Sequence, residues 1–239
     1  MSIHLFNKRT ALMLTLAATL TACGSDNDDN MTEPPPPQPE PMEYSYDITV
    51  VNLTHEQPLS PITAVLHADG KMWDIGMSSS IALEKLAEGG DNTDFISQES
   101  VIANASAQGP LMPGLSETLT ITTTDELATH LTMVSMLVNT NDAFSGLTNL
   151  ELSTLDVDAT MSWHLAVYDA GTEANTEAMG TIPGPADGGT GYSMIRDDVD
   201  RVSMHSGVVS QDDGLMSSVL TQAHRFDNPS IKLTITRTK

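Results

Sequence analysis

The run Leu131-Thr-Met-Val-Ser-Met-Leu-Val138 passes directly into Asn139-Thr-Asn-Asp142-Ala-Phe-Ser-Gly146, and Trp163-His-Leu-Ala-Val167 passes into Tyr168-Asp169-Ala-Gly-Thr-Glu173. The first run is long and mostly apolar, as expected of a central strand; the second is another strand-like run. Each ends in an acidic loop. Three carboxylates, Asp142, Asp169 and Glu173, then stand at the ends of two strands, where they can converge on one hard cation. This pattern points to binding rather than catalysis.

Outward from these two runs, strand signals recur. Tyr46, Ile48 and Val50 alternate with Asp47, Thr49 and Val51. Ile62 to Leu66 is apolar and β-branched. Leu119 and Ile121 alternate with threonines between Thr118 and Thr124, and Ile231, Leu233 and Ile235 with Lys232, Thr234 and Thr236. Two segments carry helical signals. Ser80 can cap Ile81 to Glu88, with Gly89-Gly90 as the stop, and Leu215, Val219, Leu220 and Ala223 have helical spacing behind Asp212-Asp213. Both helices are expected at sheet edges or crossings, and Gly180 to Gly191 as a long loop. Strands in series with one or two short helices predict an all-β fold, an antiparallel β-sandwich. The 14 methionines read as pliable core filler.

The N-terminal segment is of a different kind. Lys8 and Arg9 precede a short apolar run, Ala11 to Leu20, too short to span a bilayer. It ends in Leu20-Thr21-Ala22-Cys23, which resembles the lipobox of bacterial lipoproteins. That resemblance implies a signal peptide over 1–22 and lipidation of Cys23, hence a membrane anchor. Gly24-Ser25 places no aspartate beside the cysteine, which by analogy with enterobacterial sorting points to the outer membrane, facing the periplasm or the surface. Cys23 is the only cysteine, so no intrachain disulfide can form. Residues 23–43, acidic and then Pro-rich from Pro34 to Pro41, read as an extended, solvated tether. Residues 44–239 remain for one domain with a real core. Loss of Lys8 and Arg9 leaves 8 basic against 32 acidic residues, a net charge of −24. Phosphate contacts need clustered Lys and Arg, so nucleic-acid binding is excluded.

No EF-hand spacing and no His/Cys cluster occurs. His55, His67, His130, His164, His205 and His224 are scattered; His67 and His164 fall in strand runs and are expected to be partly buried and satisfied. Gly191-Tyr-Ser193-Met-Ile195 lacks the second glycine of a nucleophile elbow. A carboxylate pair for glycoside hydrolysis stays open, because separation in space is not legible in sequence. Asp197, Asp198 and Asp200 read as a solvated acidic turn. Acidic loops abound in a chain of this composition, and from the residues alone Asp142, Asp169 and Glu173 read first as ordinary loop polars.

Several ordered motifs resemble the spondin N-terminal domain family: Asn52-Leu-Thr-His55, Pro58-Leu-Ser-Pro61, Val65-Leu-His67, Trp73-Asp-Ile-Gly76, Leu83-Glu-Lys-Leu-Ala-Glu88-Gly89-Gly90-Asp91, Val134-Ser-Met136 leading to Asp142, and Asp169-Ala-Gly-Thr-Glu173. Coverage runs from about Tyr46 to Thr176. The resemblance implies a C2-like β-sandwich with calcium held by Asp142, Asp169 and Glu173. The chain departs from the family pattern at Ala143, where a tryptophan is usual, at Asn139-Thr140-Asn141, at Glu173 in place of aspartate, and in lacking the disulfide cysteines. The expectation is a non-catalytic, calcium-binding envelope lipoprotein that adheres to a matrix protein or glycan. The alternatives are a purely structural envelope protein in which calcium staples two loops, and a hydrolase with an unrecognised site.

Overall fold

The structure is a computed structural model and describes residues 40–239. Residues 1–39, which include the expected signal peptide, Cys23 and most of the expected tether, lie outside the described residues. Ten strands form two antiparallel sheets: β1 (Tyr44–Asn52), β2 (Thr63–His67), β3 (Val101–Ser106), β4 (Ser116–Thr123), β5 (His130–Met136), β6 (Ala143–Glu151), β7 (Thr160–Leu165), β8 (Val167–Asp169), β9 (Ser203–Met204) and β10 (Ile231–Arg237). One sheet has the order β4-β1-β10-β7, the other β3-β2-β5-β6-β8-β9. The all-β sandwich is the architecture expected from the strand pattern.

The core lies between the sheets. Tyr46, Ile48 and Val50 of β1, Leu119 and Ile121 of β4, and Leu233 and Ile235 of β10 meet Ala64 and Leu66 of β2 and Leu131 and Met133 of β5. The alternation of β1 and β10 follows from one covered face. β5 has no such alternation because its other face is covered too. Val65 and Val134 point outward from the six-stranded sheet into a second apolar cluster with Trp73, Phe144 and the buried face of helix α1 (Ile81–Gly89). In α1, Ser80 accepts from Leu83 N (3.1 Å), and Gly90 closes the C-terminus in the left-handed region. The helix therefore covers a sheet face, not an edge. No helix among the described residues is long and apolar enough to cross a membrane.

Four sequence expectations change. Trp163 to Tyr168 is not one strand: β7 pairs with β10 in one sheet, and β8 pairs with β6 in the other. The chain changes sheets at Ala166, where Ser145 Oγ donates to Ala166 O (2.9 Å) and Val167 N donates to Asn228 Oδ1 (2.8 Å) instead of to a ladder partner. The helix expected over Leu215–Ala223 is absent. Gly214, at φ +99°, ends a 3-10 turn over Gln211–Asp213, and Val219 N donates to Glu177 O (2.8 Å), which buries Leu220 against Ile182 and Val208. The second short helix is α2 (Thr93–Ile96), anchored by buried Phe95. The methionines are only partly core: Met133 and Met136 are fully buried, but Met42, Met77, Met112, Met161, Met179, Met194, Met204 and Met216 are exposed. His67 is buried and bonded to Thr132 Oγ1 (2.8 Å), as expected, whereas His164 is exposed on the outer face of β7.

Candidate metal centre

β5 and β6 are joined by a turn of polar residues that is itself buried: Asn139, Thr140, Asn141 and Asp142 are each at most 2% exposed. Thr140 closes it, donating from Oγ1 to Leu137 O (2.6 Å) and accepting from Ala143 N (3.1 Å). Asn139 ties it to the β1–β2 connection, with Nδ2 donating to Glu56 O (3.0 Å) and N to Gln57 Oε1 (3.1 Å). The expected loop over Asn139–Gly146 is thus shorter; β6 already begins at Ala143. The same turn brings the two acidic segments together, since Ala143 pairs with Asp169 and Ala170 N donates to Asp142 O (3.2 Å). Past Asp169 the chain reverses at Gly171, φ +71°, where an added Cβ would lie 2.2 Å from Arg201 O. Glycine is required there both for the backbone angle and for the close approach.

The three predicted side chains differ in what they present. Asp142 is fully buried; its Oδ2 accepts from Thr172 N (2.8 Å), Thr172 Oγ1 (3.2 Å) and Glu173 N (3.1 Å), while Oδ1 has no partner. Glu173 Oε1 accepts from Asn141 Nδ2 (3.1 Å), and its buried Oε2 has no partner. Asp169 is committed on both oxygens, Oδ1 to Gly171 N (2.7 Å) and Oδ2 to Asn175 Nδ2 (2.6 Å). Burial, reinforced by Asp169, pushes the Asp142 carboxyl up to about 7. Burial likewise raises Glu173 to about 7, with Glu88, Asp142 and Asp197 adding repulsion. A buried carboxylate with an unbonded oxygen is costly, and it is relieved by a proton or by a cation.

Sequence reasoning missed several residues of this pole. Glu88, at the end of α1, is fully buried; its Oε2 accepts from Ser193 N (2.8 Å), and its Oε1 has no partner. The available signal was its place in the apolar stripe of the helix, beside Leu83, Leu86 and Ala87. Glu177 is buried with φ +46°; its Oε1 accepts from Val209 N (3.1 Å), Oε2 has no partner, and burial raises its pKa. Asn141 joins these segments, donating to Glu173 and accepting from Glu177 N (3.3 Å). His205, read only as one of the scattered histidines, is buried with Nε2 3.1 Å from Asn175 Oδ1, so Asn175 bridges it to Asp169. Burial lowers the His205 pKa against an opposing pull from Asp169. The 197–200 segment is a rim rather than a free turn: Asp197 Oδ1 accepts from Ala174 N (2.9 Å), and Arg196 pairs with Asp200.

Calcium takes roughly six to eight oxygen ligands in flexible geometry. Asp142 Oδ1 and Glu173 Oε2 are buried carboxylate oxygens without a partner, the right chemistry for such an ion. Asp169 already accepts one hydrogen bond on each oxygen, which leaves a lone pair on each for an ion. Among the described residues, no three His, Cys, Asp or Glu side chains stand in a ligating arrangement. The chemistry of Asp142 and Glu173 suits a hard cation, while the expected set of three with Asp169 is not assembled as a ligating group among the described residues.

Comparison with known proteins returns no matching family model and no matching curated relative. The spondin resemblance rests on the short motifs themselves.

Proposed function

We propose that this chain is a non-catalytic, calcium-binding β-sandwich carried on a bacterial envelope lipoprotein, with the ion held at the pole formed by the β5–β6 turn and the loop after β8. One observation supports it above others. All four buried side-chain oxygens without a partner among the described residues are carboxylate oxygens, on Glu88, Asp142, Glu173 and Glu177. Those of Asp142, Glu173 and Glu177 sit on segments joined by direct hydrogen bonds. Neutral folding has little use for such a concentration of unrelieved charge, and a divalent cation would relieve it. The spondin-like motifs extend this to adhesion: ordered acidic loops would present a surface to a matrix protein or glycan. Signal cleavage and lipidation at Cys23 belong to the same proposal, with the outer membrane as the destination.

Calorimetric titration of the full chain with calcium chloride, beside Asp142→Asn, tests the reading. Saturable binding in the wild type and its loss in the variant are expected. No heat at millimolar calcium, with an unchanged melting temperature in EDTA, would remove calcium from the account. A melting shift with calcium but no retention on matrix or glycan arrays would favour the loop-stapling alternative over adhesion.

A further inference from the structure

The end of the sandwich where β1 begins, opposite the acidic pole, holds a cavity of about 320 Å³. It lies among the start of β1, the end of β10 and the connection from β4 to β5. Small-molecule sites begin at roughly 300 Å³. Tyr46 lines the cavity, although the residue is only 3% exposed and its ring belongs to the core between the sheets. Its hydroxyl makes no hydrogen bond to another described residue, and burial raises its pKa. The phenol is therefore protonated at neutral pH, a donor that opens on the cavity without an acceptor.

Arg237 faces Tyr46 across the β1–β10 pair, and residues directly opposite in such a pair share a face of the sheet. Three contacts fix its guanidinium. Nη1 donates to Leu155 O (2.9 Å), Nε donates to Lys239 O (2.8 Å), and the group lies over the Tyr44 ring, 5.4 Å from its centre. Nη2 is left uncommitted. Lys71, Lys85, Arg196, Arg225 and Lys239 each pair with an acidic side chain. Half-buried Arg237 pairs with none among the described residues, in a chain with 32 acidic and 10 basic residues. Asp125 and Glu126 line the same cavity at its exposed rim, yet neither comes within ion-pair distance of it. The cavity thus carries a fixed cation and a free donor on its inner side and two anions at its mouth, with a gap between them.

We propose that this cavity binds a small zwitterion, an amino acid or a short peptide, with its carboxylate at Arg237 and the Tyr46 hydroxyl and its ammonium at Asp125 and Glu126. Charge complementarity decides the class. A plain anion would meet two carboxylates for one guanidinium. A plain cation would leave Arg237 and Tyr46 unanswered. A ligand with both charges answers both sides, through charge-assisted hydrogen bonds at each end. Tyr44 and Ala128 supply apolar wall for the rest of the molecule. This site stands apart from the calcium reading: it uses other residues, at the other pole, and needs no metal.

The test follows amide NMR shifts of the full chain in EDTA during titration with alanine or with alanyl-alanine. Saturable shifts at Tyr46, Ala128 and Arg237 are expected, and the tighter of the two probes shows whether the cavity takes a free amino acid or a peptide. N-acetyl-alanyl-alanine and alanyl-alanine amide each lack one charge and should bind at least tenfold more weakly. Y46F should bind several-fold more weakly at an unchanged melting temperature, because its hydroxyl has no partner to lose. The double variant D125N/E126Q keeps the shape of the rim and should bind at least tenfold more weakly. No saturable shift with either probe would overturn the proposal. So would equal binding of the blocked peptides, or wild-type affinity in either variant. A chain that takes the zwitterion but no calcium keeps this proposal and loses the calcium reading.

Discussion

At the scale of single residues, Asp142 and Gly171 carry the sharpest expectations. Asp142→Asn keeps the shape and can keep the three bonds to Thr172 and Glu173 on its remaining oxygen. It removes a charge that folding leaves half unsatisfied. Without metal at pH 8 the variant should melt at or above the wild type, and calcium should no longer raise its melting temperature. A lower melting temperature in EDTA would show that the bare oxygen is not a burden. Gly171→Ala meets both a left-handed backbone and Arg201 O at 2.2 Å. It should cost about 3 kcal/mol in urea unfolding, the left-handed penalty and overpacking together. These positions were legible in the sequence to different degrees. The Asp169-Ala-Gly-Thr-Glu173 string announced a turn at Gly171. Nothing in the string announced that both Asp169 oxygens would be used up locally, because Asn175 and His205 arrive by tertiary contact.

At the scale of elements, α1 is held at three points: the Ser80 cap, the Gly90 stop and the Arg196–Glu84 pair. Loss of the cap in Ser80→Ala should cost about 1 kcal/mol, a fall of roughly 2–4 °C for a domain of this size in a thermal melt. Arg196→Met leaves Glu84 buried and unpaired, which should cost on the order of 3 kcal/mol by urea titration. The double change Arg196→Met with Glu84→Gln should recover part of that loss, since the stranded charge is gone. The helix was readable because cap, apolar stripe and glycine stop are local. The missing helix over 215–223 shows the opposite case. Its spacing is helical, but its amides find partners on the Glu177 segment and Leu220 finds a cluster with Ile182 and Val208. Tertiary burial overrides spacing when the stretch is short and begins after a left-handed glycine. The run through Trp163 to Tyr168 likewise looked continuous, and only the presence of two sheets divides it at Ala166.

At the scale of the whole molecule, the acidic pole sets the response to pH. Asp142 and Glu173 are both raised to about 7, from ordinary values near 3.8 and 4.5. The folded state therefore binds more protons than the unfolded state across that window, so stability falls as pH rises through it. In EDTA the melting temperature should drop between pH 5 and 8. With saturating calcium, which binds the deprotonated folded form, the drop should flatten or reverse. A melting temperature in EDTA that rises over the same range would show that these carboxyls are not held up by burial. β1 begins at the pole opposite this one: Asn52, at its far end, bonds to Gln57 O (2.8 Å), and Gln57 Nε2 bonds to Asn139 O (3.1 Å).

The sequence by itself determined the sandwich, because period-two burial in β1, β4 and β10 and the unbroken apolar run of β5 are written residue by residue. It also determined that Asp142, Asp169 and Glu173 would lie at or just beyond strand ends, though Asp169 is itself the last residue of β8. The tertiary structure alone decided which carboxylate oxygens are left bare. Satisfaction of a buried polar atom depends on donors distant in the chain, such as Ser193 for Glu88 and Asn175 for Asp169. Glu88 and Ser193 are 105 positions apart, and the chain between them carries no local sign that the two will meet. The structure buries Glu88 by laying α1 across the outer face of the six-stranded sheet, a packing set by Val65, Val134 and Phe144 beneath it.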